Sequence, residues 1–137
     1  MNMSRRQQQV EREERRADRD RREVAAGKLL AKIPNLTSLR LAIRESRAST
    51  GISENQYVRH VVVGSAPALF EIRCSNAGCE DGVCDFTREI LAALASGRSS
   101  FEGERPCPGR CRTTDCPRIL HYVATATYQE PLTAQSR

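Results

Sequence analysis

Apolar and polar positions divide the chain into a charged beginning and a series of short patterned segments. From Arg5 to Glu23 almost every residue is charged or Gln, with the signs mixed, so no core can form there. Pairs at helical spacing, Glu11 with Arg15 and Asp18 with Arg22, support a solvated helix by a few tenths of a kcal/mol each. Val10, Ala17 and Val24 recur every seven residues, a single weak stripe well short of a coiled-coil seam. Residues 1–28 are therefore expected to form a charged arm, helical or disordered.

Leu29, Leu30 and Ile33 bring the first apolar cluster, and Pro34 marks a boundary because it disfavours helical geometry in the residue before it. Beyond it Leu36, Leu39 and Ile43 fall at i, i+3 and i+7, with Arg40, Arg44 and Arg47 largely on another face, so residues 29–51 read as an amphipathic helical segment ending at Ser49-Thr50-Gly51. Gln56 to Val63 is β-branched and alternating, a strand; Gly64 to Pro67 supplies turn chemistry, and Ala68 to Arg73 alternates again, which predicts a hairpin. Asp85 to Ser96 carries Phe86, Ile90, Leu91 and Leu94 on one helical face, with Gly97 placed to end it. Ser99 to Arg105 predicts a short strand and Arg118 to Gln129 a long one. The expected class is α+β: a small antiparallel sheet with an inserted helix over residues 52–130, preceded by helical segments and followed by a tail at 131–137.

Composition narrows this picture. Hydrophobic residues make up 39% and aromatics 4%, with no Trp, so apolar burial needs support from another source. Six cysteines are the candidates. The N-terminus has no apolar stretch resembling a signal peptide, and no run is long and apolar enough to span a membrane, so a cytosolic protein without a membrane partner is expected. In that reducing compartment closely spaced cysteines point to a metal before disulfides.

The cysteines form two clusters, Cys74, Cys79 and Cys84, then Cys107, Cys111 and Cys116, each set among Gly, Pro, Asn, Asp, Ser and Thr. A structural zinc ion takes four ligands, commonly offered two at a time by tight turns. Cys74 and Cys107 end predicted strands, Cys116 opens one and Cys79 follows Gly78, which selects these four as the Zn2+ ligands. Cys84 and Cys111 remain alternates. Between Cys74 and Tyr128 the arrangement resembles a zinc ribbon or zinc finger in general layout, with longer spacings than the usual Cys-x2-Cys knuckle. Iron-sulfur binding is the lesser metal reading, since neither common ferredoxin spacing is present. An all-Cys site is normally closed, which favours structure over catalysis, and neither His60 nor His121 has local support as a ligand or base.

Net charge is +5, carried by 20 Arg and two Lys, and residues 1–28 hold nine basic and six acidic side chains. Arginine suits phosphate recognition, so the leading functional expectation is a nucleic-acid-associated zinc protein contacting phosphates through Arg5, Arg6, Arg12, Arg15, Arg16, Arg19, Arg21 and Arg22. The interleaved acids favour a second reading, a protein-interaction module or oligomerising adaptor whose arm pairs with a partner or itself. A thiol redox sensor is a third, and it requires exposed thiols of low pKa.

Overall fold

The computed structural model describes residues 4–63 and 69–129. Helix α1 spans Arg5–Ala31 and opens on a capping box, in which Ser4 accepts from the Gln7 backbone N–H and the Gln7 side chain accepts from that of Ser4. Its C-terminal turn buries Ala26 and Leu30 in the core, so the helix runs past the expected limit of the arm at residue 28. Asn35, at φ 64°, then turns the chain into the first strand.

That strand, β1 (Leu36–Arg47), corrects the helix expected within residues 29–51. Leu39, Leu41 and Ile43 are buried while Arg40 and Arg44 are exposed, a period of two. β1 pairs with β2 (Ser53–Val62) through a turn at Gly51, φ 70°, and on its other side with β9 (Arg118–Tyr128). β6 (Ser100–Pro106) pairs with β9 and completes an antiparallel sheet of order β2-β1-β9-β6. Segment 29–51 thus supplies a central strand of the same sheet as the residues after 52.

Among the described residues, those of the expected hairpin from Ala68 to Arg73 do not pair with the preceding strand. Instead β3 (Glu71–Arg73) pairs with β5 (Val83–Asp85), and β4 (Cys79–Glu80), β7 (Arg110–Cys111) and β8 (Thr114–Asp115) form a separate three-stranded sheet. The turn expected at Gly64 to Pro67 and the tail at 131–137 lie outside the described residues. Helix α2 (Thr87–Ala95) lies between β5 and β6, with Asp85 accepting the Thr87 N–H at its start and Gly97, φ 82°, just beyond its end. The class is α+β, as the patterning predicts.

One side of the four-stranded sheet carries the core. Leu39, Leu41, Ile43, Val61, Leu120 and Tyr122 pack with Ala26 and Leu30 of α1 and with Ile90 and Leu94 of α2. The few aromatics are concentrated there: Phe86 meets Tyr122 edge-on with centroids 4.9 Å apart, and the Tyr122 hydroxyl donates to Glu89 at 2.8 Å. The same core continues into the small sheets, where Ile72, Cys84, Cys107 and Cys116 are buried with it and Cys74, Cys79 and Cys111 pack against it. No helix among the described residues is long and apolar enough to cross a membrane.

Candidate metal centre

Three sets of short strands converge on one group of sulfurs. Cys74 follows β3, Cys79 opens β4, Cys107 follows β6 and Cys116 lies between β8 and β9. Their four Sγ atoms all lie within 4.8 Å of one another, with Cys74 to Cys116 at 3.9 Å and Cys79 to Cys107 at 3.7 Å. Disulfide sulfurs would be about 2.05 Å apart. Zn–S bonds of about 2.3 Å in a tetrahedron set neighbouring sulfurs about 3.8 Å apart, so the cluster has the dimensions of a tetrathiolate metal site.

The two alternates take other positions. Cys84 is buried in β5 with its Sγ 3.8 Å from the Pro106 carbonyl, as a small apolar filler. Cys111 stands opposite Cys79 in the β4–β7 pair and accepts from the Asn76 side chain at 3.4 Å, outside the four-sulfur group.

Backbone hydrogen bonds hold the loops in place. The Cys74 N–H donates to Gly82 O at 2.7 Å, the Cys107 N–H to Arg118 O at 2.9 Å and the Cys116 N–H to Gly109 O at 3.0 Å. Donors also face the sulfurs: the Gly109 N–H lies 3.4 Å from Cys107 Sγ and the Asn76 amide 3.9 Å from Cys116 Sγ. Such donors orient thiolate ligands and offset their charge.

Ionisation is divided unevenly among the thiols. Burial, with the neighbouring sulfurs, pushes Cys74 up strongly and Cys79 up to about 12. For Cys116 burial also raises the pKa, but hydrogen bonds from the Arg118 backbone and from Cys107, Cys79 and Cys74 outweigh it, bringing the thiol down to about 7. Four thiolates this close repel one another, and a bound cation is what allows them to ionise together.

A buried carboxylate that sequence reasoning missed supports the site. Glu45 in β1 is fully buried, yet its oxygens accept from the Asn55 amide at 2.8 Å, the Ser75 N–H at 2.8 Å and Arg118 at 3.3 Å. Burial alone would raise its pKa; the bonds from Asn55 and Ser75 prevail and lower it. One side chain thus ties β2, β9 and the loop beginning at Cys74 to the central strand. We expect Glu45→Ala to lower stability by ~3 kcal/mol, because Arg118 and the Ser75 N–H lose their acceptor. Urea unfolding monitored by circular dichroism measures this, and a loss below about 1 kcal/mol would contradict it.

The predicted arginines of α1 separate into three groups. Arg15 pairs with Glu11 and Arg21 with Asp18 along the helix. Arg19 reaches Glu23 at 3.2 Å and Glu71 at 2.9 Å, and Arg22 reaches Asp18 at 3.3 Å and Asp85 at 3.7 Å, so these two fasten the helix to β3 and β5. Arg5, Arg6, Arg12 and Arg16 are exposed, with no ion pair among the described residues. Arg5, Arg12 and Arg16 line one shallow groove with Gln8, Gln9 and Glu13. His60 and His121 belong to the sheet, and His121 contacts Glu102 at 3.2 Å.

No protein-family model, no curated protein and no solved structure matches this chain.

Proposed function

We propose that this chain is a nucleic-acid-associated module whose fold is fastened by a structural zinc ion on Cys74, Cys79, Cys107 and Cys116, with α1 as the phosphate-contacting element. The sulfur spacing supports the metal, and four thiolates leave no open coordination position, which favours a structural over a catalytic role. Loops bearing the ligands and joined by short strand pairs have the general layout of a zinc ribbon.

The observation that carries the partner assignment is the groove of Arg5, Arg12 and Arg16 with Gln8 and Gln9. Three of the six acids interleaved in the sequence, Glu11, Asp18 and Glu23, are engaged by other arginines, and with one acid, Glu13, against three arginines the groove keeps a net charge of +2. From Arg5 to Arg22 only Glu11 is less than exposed, so the helix offers this stripe to a partner without competition from the core. A guanidinium presents a planar fork of donors to a phosphate, and Gln adds neutral donors beside it.

The test is fluorescence anisotropy with labelled duplex DNA, single-stranded DNA and RNA between 50 and 200 mM KCl. Replacing Arg5, Arg12 and Arg16 together by Ala is expected to weaken binding by roughly tenfold or more and to reduce the salt slope by about 2 to 3. Absence of binding to all three probes at micromolar protein would reject the assignment. The protein-interaction reading would then take its place, supported by Val10 and Val24, which are exposed on the same helix.

A further inference from the structure

The four-stranded sheet has two faces, and the core uses one. On the other, strand pairing aligns Val58, Ala42 and Val123 in an apolar row across β2, β1 and β9. Val58 and Val123 are exposed, at 43% and 36%. Arg40 and Arg44 flank this row on β1, and Glu102 and Glu104 stand on the edge strand β6, all four exposed. Arg40, Arg44 and Glu104 have no ion-pair partner among the described residues, and no described helix or loop packs on this face.

We propose that this face is a homodimer interface, in which the sheets of two copies pack against each other about a two-fold axis parallel to the strands. That axis places β1 opposite β9 of the second copy and β2 opposite its β6. Each basic half of the face then meets an acidic half, with Arg44 of one copy beside Glu104 of the other, while the apolar rows cover each other. The formal charges of the two arginines and two glutamates cancel, so the face does not attract phosphate; it is complementary to itself. Strands of 12, 10, 7 and 11 residues give an area near 600 Å2, taking about 3.3 Å per residue and about 4.8 Å between strands. Two such faces together bury about 1,200 Å2, the lower end of the range for specific interfaces, which fits a dimer of micromolar affinity. This pairing of sheets requires neither the metal nor nucleic acid.

Sedimentation velocity on the full chain, free of nucleic acid by absorbance ratio, tests the proposal between about 1 and 100 µM, a range that spans micromolar dissociation constants. The expected result is a monomer–dimer equilibrium. Arg44→Glu and Glu104→Arg alone should each weaken it by about tenfold or more, since each brings like charges together twice in the dimer. A mixture of the two variants should recover dimer, because both contacts of the mixed pair then join opposite charges. At one, the introduced carboxylate at position 44 faces the introduced guanidinium at position 104; at the other, the native Arg44 faces the native Glu104. Both positions are exposed, so each variant should melt close to the parent; Arg40→Glu with Glu102→Arg repeats the design should either fail to fold. A parent that stays monomeric at 100 µM, a dimer indifferent to both single changes, or a mixture that stays monomeric would overturn the proposal. Dimers indifferent to both changes but dissolved by salt would identify pairing through α1 instead.

Discussion

Replacing Cys107 by Ser is expected to abolish metal retention and lower the thermal midpoint by more than about 10 °C, whereas the same change at Cys111 should leave both nearly unaltered. Cys107 is buried, with its sulfur 3.7 Å from that of Cys79, and its loss leaves three thiolates and an oxygen ligand of lower affinity for a borderline-soft ion. A metal held a thousandfold below its working concentration contributes about 4 kcal/mol to folding, and in a chain of this size each kcal/mol moves the midpoint by about 2 to 4 °C. Cys111 stands outside the four-sulfur group although it belongs to the same sequence cluster, so its oxygen analogue costs weak hydrogen bonds with Asn76, Cys116 and Cys79 and none of the four clustered sulfurs. Cys84→Ser falls between the two: metal is retained, at a cost of about 1 to 3 kcal/mol for placing a hydroxyl in the apolar interior. Elemental mass spectrometry with a thiol count on each variant separates the cases. One zinc per chain in the parent, four thiols released by chelation and no zinc in Cys107→Ser is the expected set. Zinc retained by Cys107→Ser and lost from Cys111→Ser would move the site to a different four sulfurs, and iron in the parent would replace zinc as the resident ion.

The contrast between Cys107 and Cys111 also shows what the sequence can convey. Turn-forming residues around each cysteine and the strands leading into Cys74 and Cys107 are local features, and from them the four converging sulfurs could be chosen. The helix α2 and strands β2, β6 and β9 were legible for the same reason, since their patterns belong to single segments. β1 was not. Leu36, Leu39 and Ile43 fit a helical stripe, while Leu39, Leu41 and Ile43 fit a strand equally well. What decides between them is pairing with β2 on one side and with β9, some eighty residues later, on the other. Local propensity is a weak prior against partners on both edges. The same limit hid the partner of β3, which is β5 rather than the adjacent β2, and Glu45, whose significance lies in bonds to Asn55, Ser75 and Arg118 from three other segments. The arginines of α1 form one set in the sequence because the ion pairs of Arg19 with Glu71 and of Arg22 with Asp85 depend on tertiary structure.

Glycines around the sulfurs give the second large expected effect: Gly109→Ala should destroy the metal centre and Gly78→Ala should not. Both lie in cysteine-bearing loops, and neither has a left-handed backbone, so conformational freedom does not distinguish them. Space does. A Cβ at Gly109 would stand 2.6 Å from the Glu80 carbonyl oxygen and 2.9 Å from the Gly82 Cα, and nearer still to Cys79 Sγ. Those neighbours are backbone and one of the four clustered sulfurs, so they have little room to rotate away; the β4–β7 pairing that brings Cys79 opposite Cys111 must open instead. The Gly109 carbonyl accepts the Cys116 N–H and its own N–H faces Cys107 Sγ, so moving this residue displaces sulfurs on both sides of the cluster. At Gly78 a Cβ meets nothing within 4 Å. Gly82 is a close second, with a Cβ 2.6 Å from Cys79 Sγ and 2.9 Å from Cys107 Sγ. Overpacking a close-fitting site costs about 1 to 3 kcal/mol before any metal is lost, and displacement of two ligands adds the binding free energy of the ion. Zinc content and thermal midpoint are therefore expected to fall together in Gly109→Ala and to stay at parental values in Gly78→Ala. A Gly109→Ala protein that holds its zinc with an unchanged midpoint would mean that the loops do not close around the sulfurs as tightly as this packing requires.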